Sequence, residues 1–430
     1  RDWQRSTTDE VTRRGFGSAS FIAEYTGEIK AKEAFAELNV PILRDVPFFQ
    51  RLSLDAAARY GDYNIANVGS IFSYRVGGEW APVRDLRFRG QFARAQRAPT
   101  VTNLYSPLRD DSDSVVDLCN GVSAASTGTI ATNCRTIPGI AAAIATNGAF
   151  LQDTTSIKGP SSGNPGLKEE TADTVSLGAV FTPTFIPGLS ATVDYFRIRV
   201  RDAISSLDAD QLLRECLANP DGLTDNFFCN EITRNAEGQI TQVVNRDLNL
   251  NRIVRSGVDV GLDYRFDAPQ WLSSAGKLDL RLLYSRLIDF YTVFDGVNGT
   301  ATTDLKGEVG SWVNTGQAQV GYREGGLRLR WKARYTGDAV DSNQRLAIAN
   351  AAGSNPPFLR VGDQVRHDFY ASVDVPGSRR DMRFYAGINN AFDSKSPFLP
   401  TGTVSGSSQN ITGDYDEIGR YFYVGFEAKF

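Results

Sequence analysis

Long apolar runs are missing from this sequence. No stretch of about 18 apolar residues occurs among its 430, and mean hydropathy is −0.28, so a membrane-spanning helix is excluded. Membrane-crossing strands survive that exclusion, because each needs only about 9–11 residues and carries polar ones at alternate positions. Excess charge is missing as well. The 46 basic and 50 acidic residues leave a net −4, which gives no footprint for nucleic acid. Histidine is reduced to His367 and no C-x-x-C occurs, so the usual zinc patterns are absent. Helix signals are few. This length normally suggests two or three domains, but closed β architectures run larger as single domains.

What is present is alternation. In 421–430, Phe422, Val424, Phe426, Ala428 and Phe430 share one parity, and Tyr421, Tyr423, Gly425, Glu427 and Lys429 the other. Successive strand side chains point to opposite faces, so this reads as a strand with a continuous apolar face. In 327–335, Leu327, Leu329, Trp331, Ala333 and Tyr335 oppose Arg328, Arg330, Lys332 and Arg334. Similar segments near 28–40, 50–62, 67–81, 84–94, 173–183, 188–203, 258–266, 276–291, 308–323, 364–376 and 381–392 bring the number to about thirteen strands. In 189–201 the apolar phase slips after Tyr195, from Ala191, Val193 and Tyr195 to Phe196, Ile198 and Val200, which predicts a bulge there.

Connections alternate in length. Ala81–Asp85, Thr184–Gly188, Glu324–Gly326 and Gly377–Arg380 are short, with 41–49 and 267–275 slightly longer. Those near 98–170, 204–249, 292–307, 340–363 and 393–417 are long, and Asn64–Ala66 is the exception. Short turns at one end and long loops at the other is the layout of an outer-membrane barrel, and long loops are usually functional. The cysteines form two local pairs, Cys119/Cys134 and Cys216/Cys229, one in each of the two longest loops. Two disulfides in separate loops fit better than free thiols and imply an oxidising compartment. The uncharged stretch 136–150 reads as a short helix packed within its loop, not as a membrane segment.

Several residues admit a sharp and a bland reading. The basic row Arg328, Arg330, Lys332, Arg334 suits an anion path, but such rows are more often a hydrated lumen face paired with neighbouring carboxylates. His367 lies on the apolar parity, where a packed or interfacial ring is the ordinary role. A Ser-His-Asp reading with Asp368 has no nucleophile elbow behind it. Glu169, Glu170, Asp110, Asp111 and Asp113 are loop carboxylates without a second ligand cluster for calcium. Asn298 and Asn410 match the glycosylation pattern, which short sequences do by chance.

Five motifs together resemble the TonB-dependent receptor family of bacterial outer membranes. RAQRAPTVTNLYSP (94–107) is similar to its R-A-P…L-Y signature, where a strand leaves for a large extracellular loop. NPGLKEETADTVSLG (164–178) resembles the N-P-x-L-K-P-E-T re-entry, with Glu169 where proline is usual. IPGLSATVDYFRIRVRDAI (186–204) and RSGVDVGLDY (255–264) resemble the next two strands, and GINNAFDSKSP (387–397) the penultimate one. The resemblance implies an all-β, transmembrane antiparallel β-barrel of about 22 strands with long extracellular loops, of which 28–430 supplies the C-terminal part. Residues 1–27 are then an extracellular loop segment at a chain break or split. It also implies Tyr421, Tyr423, Phe426 and Phe430 as the C-terminal signal read by the barrel-assembly machinery.

The family takes up scarce ligands actively, and the ligand here is a siderophore, vitamin, saccharide or peptide. Its partners are an N-terminal plug, the remaining strands, the TonB complex reached through that plug, and outer-membrane lipid. No cofactor and no catalytic residue are implied. The sequence departs by carrying neither plug nor TonB-box. Thirteen strands cannot close as a single-chain barrel, so a longer precursor or a second chain is expected. A passive porin-like channel is the alternative, and a cell-surface β-rich enzyme or adhesin the second.

Overall fold

In the computed structural model, the described residues are 2–7, 9–14, 23–109, 111–273, 275–297, 299–375, 382–397, 415–416 and 418–428. Thirteen strands follow one another in a single antiparallel meander. They are β1 (Ala31–Val46), β2 (Phe49–Tyr63), β3 (Ser70–Val83), β4 (Leu86–Arg97), β5 (Glu170–Phe181), β6 (Leu189–Ser205) and β7 (Leu248–Asp267). There follow β8 (Lys277–Gly296), β9 (Asn314–Glu324), β10 (Leu327–Thr336), β11 (Gln364–Asp374), β12 (Met382–Asn389) and β13 (Tyr421–Ala428). Gly299–Asp304 folds back on the end of β8 as a fourteenth strand. Every strand pairs with its sequence neighbours, and among the described residues β1 and β13 do not pair with each other.

Register makes the two faces explicit. One row crosses the sheet as Leu52, Trp80, Phe88, Ala179, Val193, Val260, Tyr284, Gly316, Tyr335 and Val365. The adjacent row reads Ser53, Glu79, Arg89, Gly178, Asp194, Asp259, Ser285, Thr315, Thr336 and Gln364. A step of one residue therefore converts an apolar surface into a polar one across ten strands. On the apolar side Phe422, Val424 and Phe426 are 68, 85 and 54% exposed, which is tolerable only where the surrounding solvent is not water.

Several strands extend beyond the stretches that alternation marks. β1 runs to Val46, so the connection expected over 41–49 shrinks to Pro47 and Phe48. β7 starts at Leu248, ten residues before the expected 258. The loop expected over 292–307 is largely a hairpin of β8 with Gly299–Asp304. Before β1, Asp2–Ser6 pairs antiparallel with Tyr25–Ile29, which leads into it. At about 3.3 Å per residue, the 20-residue β7 and β8 are each roughly 66 Å long, well beyond an apolar band about 25 Å tall.

The bulge expected after Tyr195 is not there. β6 keeps unbroken register with β5 from Ala191 to Arg201, and its two irregularities with β7 fall between Val200 and Ile204. Instead the chemistry of the faces inverts while the backbone continues. Ala191, Val193 and Tyr195 share a face with Arg197, Arg199 and Arg201, whereas Phe196, Ile198 and Val200 join the polar side. A strand leaving a hydrocarbon layer needs no apolar residues on its outer face. The apparent phase slip is this change in side-chain chemistry along a regular strand.

Candidate functional site

The polar face is built from cross-strand ion pairs. Arg89 donates two hydrogen bonds to Asp194, at 2.9 and 2.7 Å, and Gly178 leaves the space that this pair fills. Arg51 and Arg87 flank Glu79, Arg281 pairs with Asp263, and Arg323 with Asp279. In the basic row, Arg328 reaches Asp374 and Arg334 reaches Asp368, both at 2.8 Å, with both carboxylates on the neighbouring β11. Arg330 lies over the Tyr370 ring, 5.0 Å from its centroid, a cation–π arrangement. Arg330 and Lys332 make no ion pair among the described residues.

At the C-terminal strand, Tyr385 and Tyr423 cover Gly425 and Gly387, each ring occupying the place of the Cβ its glycine lacks. Tyr421 and Tyr423 lie on the polar face, and Phe426 packs on Phe384 across the apolar one at 5.1 Å. Phe430 lies outside the described residues. His367 is on the apolar face, where Trp331 Nε1 donates to its Nδ1 at 3.1 Å and Phe392 meets it edge-on. That is a packed ring.

The two longest loops, each holding one of the two expected disulfides, pack against each other. They fold into one cap with a common apolar core. Val115, Ile140 and Phe150 from 98–169 are buried against Leu212, Leu213, Leu217 and Val243 from 206–247. The helices Thr129–Thr136 and Pro138–Asn147 come from the first loop, and Ala209–Leu217 comes from the second. Asn133 stitches them, donating to the Leu217 and Asn219 carbonyls at 2.8 Å each. A four-stranded sheet spans both loops, with Ile240–Val243 running parallel to Ser156–Lys158. The Asp117 carboxylate, 1% exposed, takes a two-pronged guanidinium bond from Arg234 of the other loop.

Cys119–Cys134 closes one half of this cap and Cys216–Cys229 the other, and three of the four sulfur-bearing residues lie in the shared core. Glu215 accepts from Val297 N at 2.8 Å, and Phe294 enters the core, so the cap is docked on the β8 hairpin. Alternation could not reveal this unit, whose residues follow no period-two pattern. The signal was helical: Leu212, Leu213, Cys216 and Leu217 recur as one face of a helix.

The remaining candidates have local duties. Glu170 pairs with Arg97 and accepts from Ile204 N, and Glu169 meets Gln96. Asp111 and Asp113 bond the next backbone N–H. Asp110, Asn298 and Asn410 lie outside the described residues, among which no cluster of three metal-ligating side chains occurs. Glu308, in the turn before β9, is pushed above the usual carboxylate range by burial.

The family model described as "TonB dependent receptor-like, beta-barrel" matches residues 1–391. No curated protein matches the sequence. Among solved structures, a mutant ferric enterobactin receptor from Pseudomonas aeruginosa aligns at 17% identity and TM-score 0.56, over 94% of this chain and 45% of that one. The siderophore receptor PirA from Acinetobacter baumannii aligns at 15% and 0.56, over 93% and 46%. The FrpB iron transporter from Neisseria meningitidis aligns at 15% and 0.50, over 94% and 46%. At such identities the likeness is one of fold, and the chain spans a little under half the length of these structures.

Proposed function

From the premise that this chain belongs to the TonB-dependent receptor β-barrel family, we propose that it is the C-terminal part of an outer-membrane receptor for active uptake of a scarce ligand. The long loops face the cell exterior, the apolar rows face lipid, and the polar face with Arg328, Arg330, Lys332 and Arg334 lines the lumen. The observation that carries this reading is the cap. Two loops joined through one core, over the loop end of a polar-faced sheet, make a rigid vestibule of the sort that captures a ligand before transport. A passive pore has no need of it.

The unpaired edges of β1 and β13 support further partners. Open strand edges are not tolerated in hydrocarbon, so the remaining strands come from N-terminal sequence of the same precursor or a second chain. That sequence also supplies the plug, through which the TonB complex acts. The family's receptors are transporters, and the ion pairs of the polar face serve solvation and plug contact here, not catalysis.

Uptake assays in cells with and without TonB test the proposal, using a panel of ferric siderophores, cobalamin, oligosaccharides and peptides. Ferric siderophores come first, because solved relatives carry siderophore names. One panel member should accumulate only when receptor and TonB are both present. Solute entry that ignores TonB would favour the porin reading.

A further inference from the structure

The strand Gly299–Asp304 leaves one edge of the sheet open. It pairs in unbroken register with Tyr291–Gly296 and with no other strand among the described residues, and its whole length is exposed. Next along the chain, Leu305 N donates to Phe290 O at 2.9 Å. Hydrogen-bonded positions alternate in an antiparallel pair, so Thr303, Ala301 and Gly299 bond β8. Asp304, Thr302 and Thr300 then turn their backbone groups away from it. Asp304 agrees, since its carbonyl accepts from Asn343 Nδ2 at 2.9 Å. The backbone N–H and C=O of Thr300 and Thr302 have no partner among the described residues.

Natural sheet edges are blocked by lysine, proline or a bulge. Gly299–Asp304 has none of these. Asn343 shows what chemistry fits the edge, because its side-chain amide does at Asp304 what a peptide N–H does along a ladder. The helix that starts there, Asn343–Ala351, touches the strand, buries none of its residues and leaves Ile348 64% exposed. Apolar surface therefore stands beside the open edge. Asp295 is paired with Arg252 at 3.0 Å, whereas Asp304 makes no ion pair among the described residues. The free charge at this edge is negative.

A second copy of the chain does not fit. Antiparallel self-pairing needs a two-fold axis perpendicular to the sheet, which turns one of two receptors upside down in a shared membrane. A two-fold axis along the strands sets identical backbone groups opposite each other, N–H against N–H.

We propose that Gly299–Asp304 binds an extended peptide from outside the cell as an added antiparallel strand, with a basic residue opposite Asp304. The proposal rests on the reading that the loop end faces outward. Antiparallel pairing sets the first, third and fifth residues of the peptide opposite Asp304, Thr302 and Thr300.

The experiment uses the receptor expressed from its complete precursor and purified in neutral detergent. The probe is a blocked, dye-labelled hexapeptide of alternating threonine and valine with lysine first, and fluorescence anisotropy reads its binding. The parent peptide should bind saturably. N-methylation of its third and fifth residues removes both donors aimed at the edge. At about fivefold per net hydrogen bond, affinity should fall on the order of 25-fold. N-methylation of the second and fourth residues, which face away, should leave it nearly unchanged. T302P removes one outward N–H and should weaken binding about fivefold, with hydrogen exchange of amides 291–296 unchanged because the hairpin stands. D304N keeps every ladder group and should weaken the lysine peptide roughly two- to fivefold. No saturable binding by the parent, or equal loss from both methylation patterns, overturns the site. A dimer in analytical ultracentrifugation that T302P dissociates overturns the peptide in favour of a second copy. Binding is read without TonB or uptake, so failure here and failure of the transport reading give different results.

Discussion

The cap and the strand belt are made from one chain by opposite rules. In the belt, apolar side chains point outward and polar ones are gathered between strands, so Val424 is 85% exposed while the Asp194 side chain, paired with Arg89, is 29% exposed. In the cap, Leu213 and Val243 are fully buried and the polar groups lie outside or are paired. The belt needs no core because its solvent is apolar on one side. The cap builds a core, and it draws that core from two loops distant in sequence. What differs is the solvent each region meets, and the sequence period follows from that.

The difference can be broken most severely inside the cap. Asp117→Ala leaves the Arg234 guanidinium buried without its partner, and loss of one member of a buried pair costs about 3–5 kcal/mol. Hydrogen exchange should show opening of 98–169 and 206–247 together while belt amides stay protected. Opening of one loop alone would mean that the cap is not a unit. In the belt, Trp331→Arg near mid-membrane should destabilise by roughly 2–4 kcal/mol in bilayer unfolding, whereas Arg330→Trp should cost much less. Spin labels at 329, 331 and 333 that report water, with 330 and 332 reporting lipid, would reverse the face assignment.

Removing Cys216–Cys229 by paired alanine substitution releases a short loop, worth about 3 kcal/mol in the chain-entropy model. The loss should appear as faster proteolysis of the cap with unchanged heat-modifiable migration of the barrel. Peptide mapping that finds free or crossed thiols in the native protein sinks the pairing itself. The smallest effect is expected at Lys332→Gln, which breaks no ion pair and should shift stability by no more than about 0.5 kcal/mol. A large loss there would indicate an anionic partner on the lumen side that Arg328 and Arg334, already bound to Asp374 and Asp368, do not need.

The belt was legible because period two is a local signal. Thirteen strands and the parity of Trp331 against Arg330 follow from neighbours in sequence. Strand ends were less legible, because β7 above Val258 and β8 beyond Tyr291 have left the apolar layer and lost the alternation that marks a strand there. For the same reason Phe196 was read as the product of a bulge. The cap was not legible as a unit. Contacts such as Asn133 with Leu217 join residues 84 positions apart, and nothing local announces them.

The joined cap has a consequence for the alignment of the belt beneath it. A strand that slides by one residue exposes its charges to lipid, so alternation itself forbids that error. A slide of two residues, roughly 7 Å, restores the same faces and passes unnoticed by parity. But the first loop enters β5 and the second leaves β6, so such a slide between these strands would shear Asn133 from Leu217 and Lys158 from Gln242. The cap works as a keyway. It indexes the β5–β6 seam to a single notch that hydrophobic pattern alone leaves ambiguous.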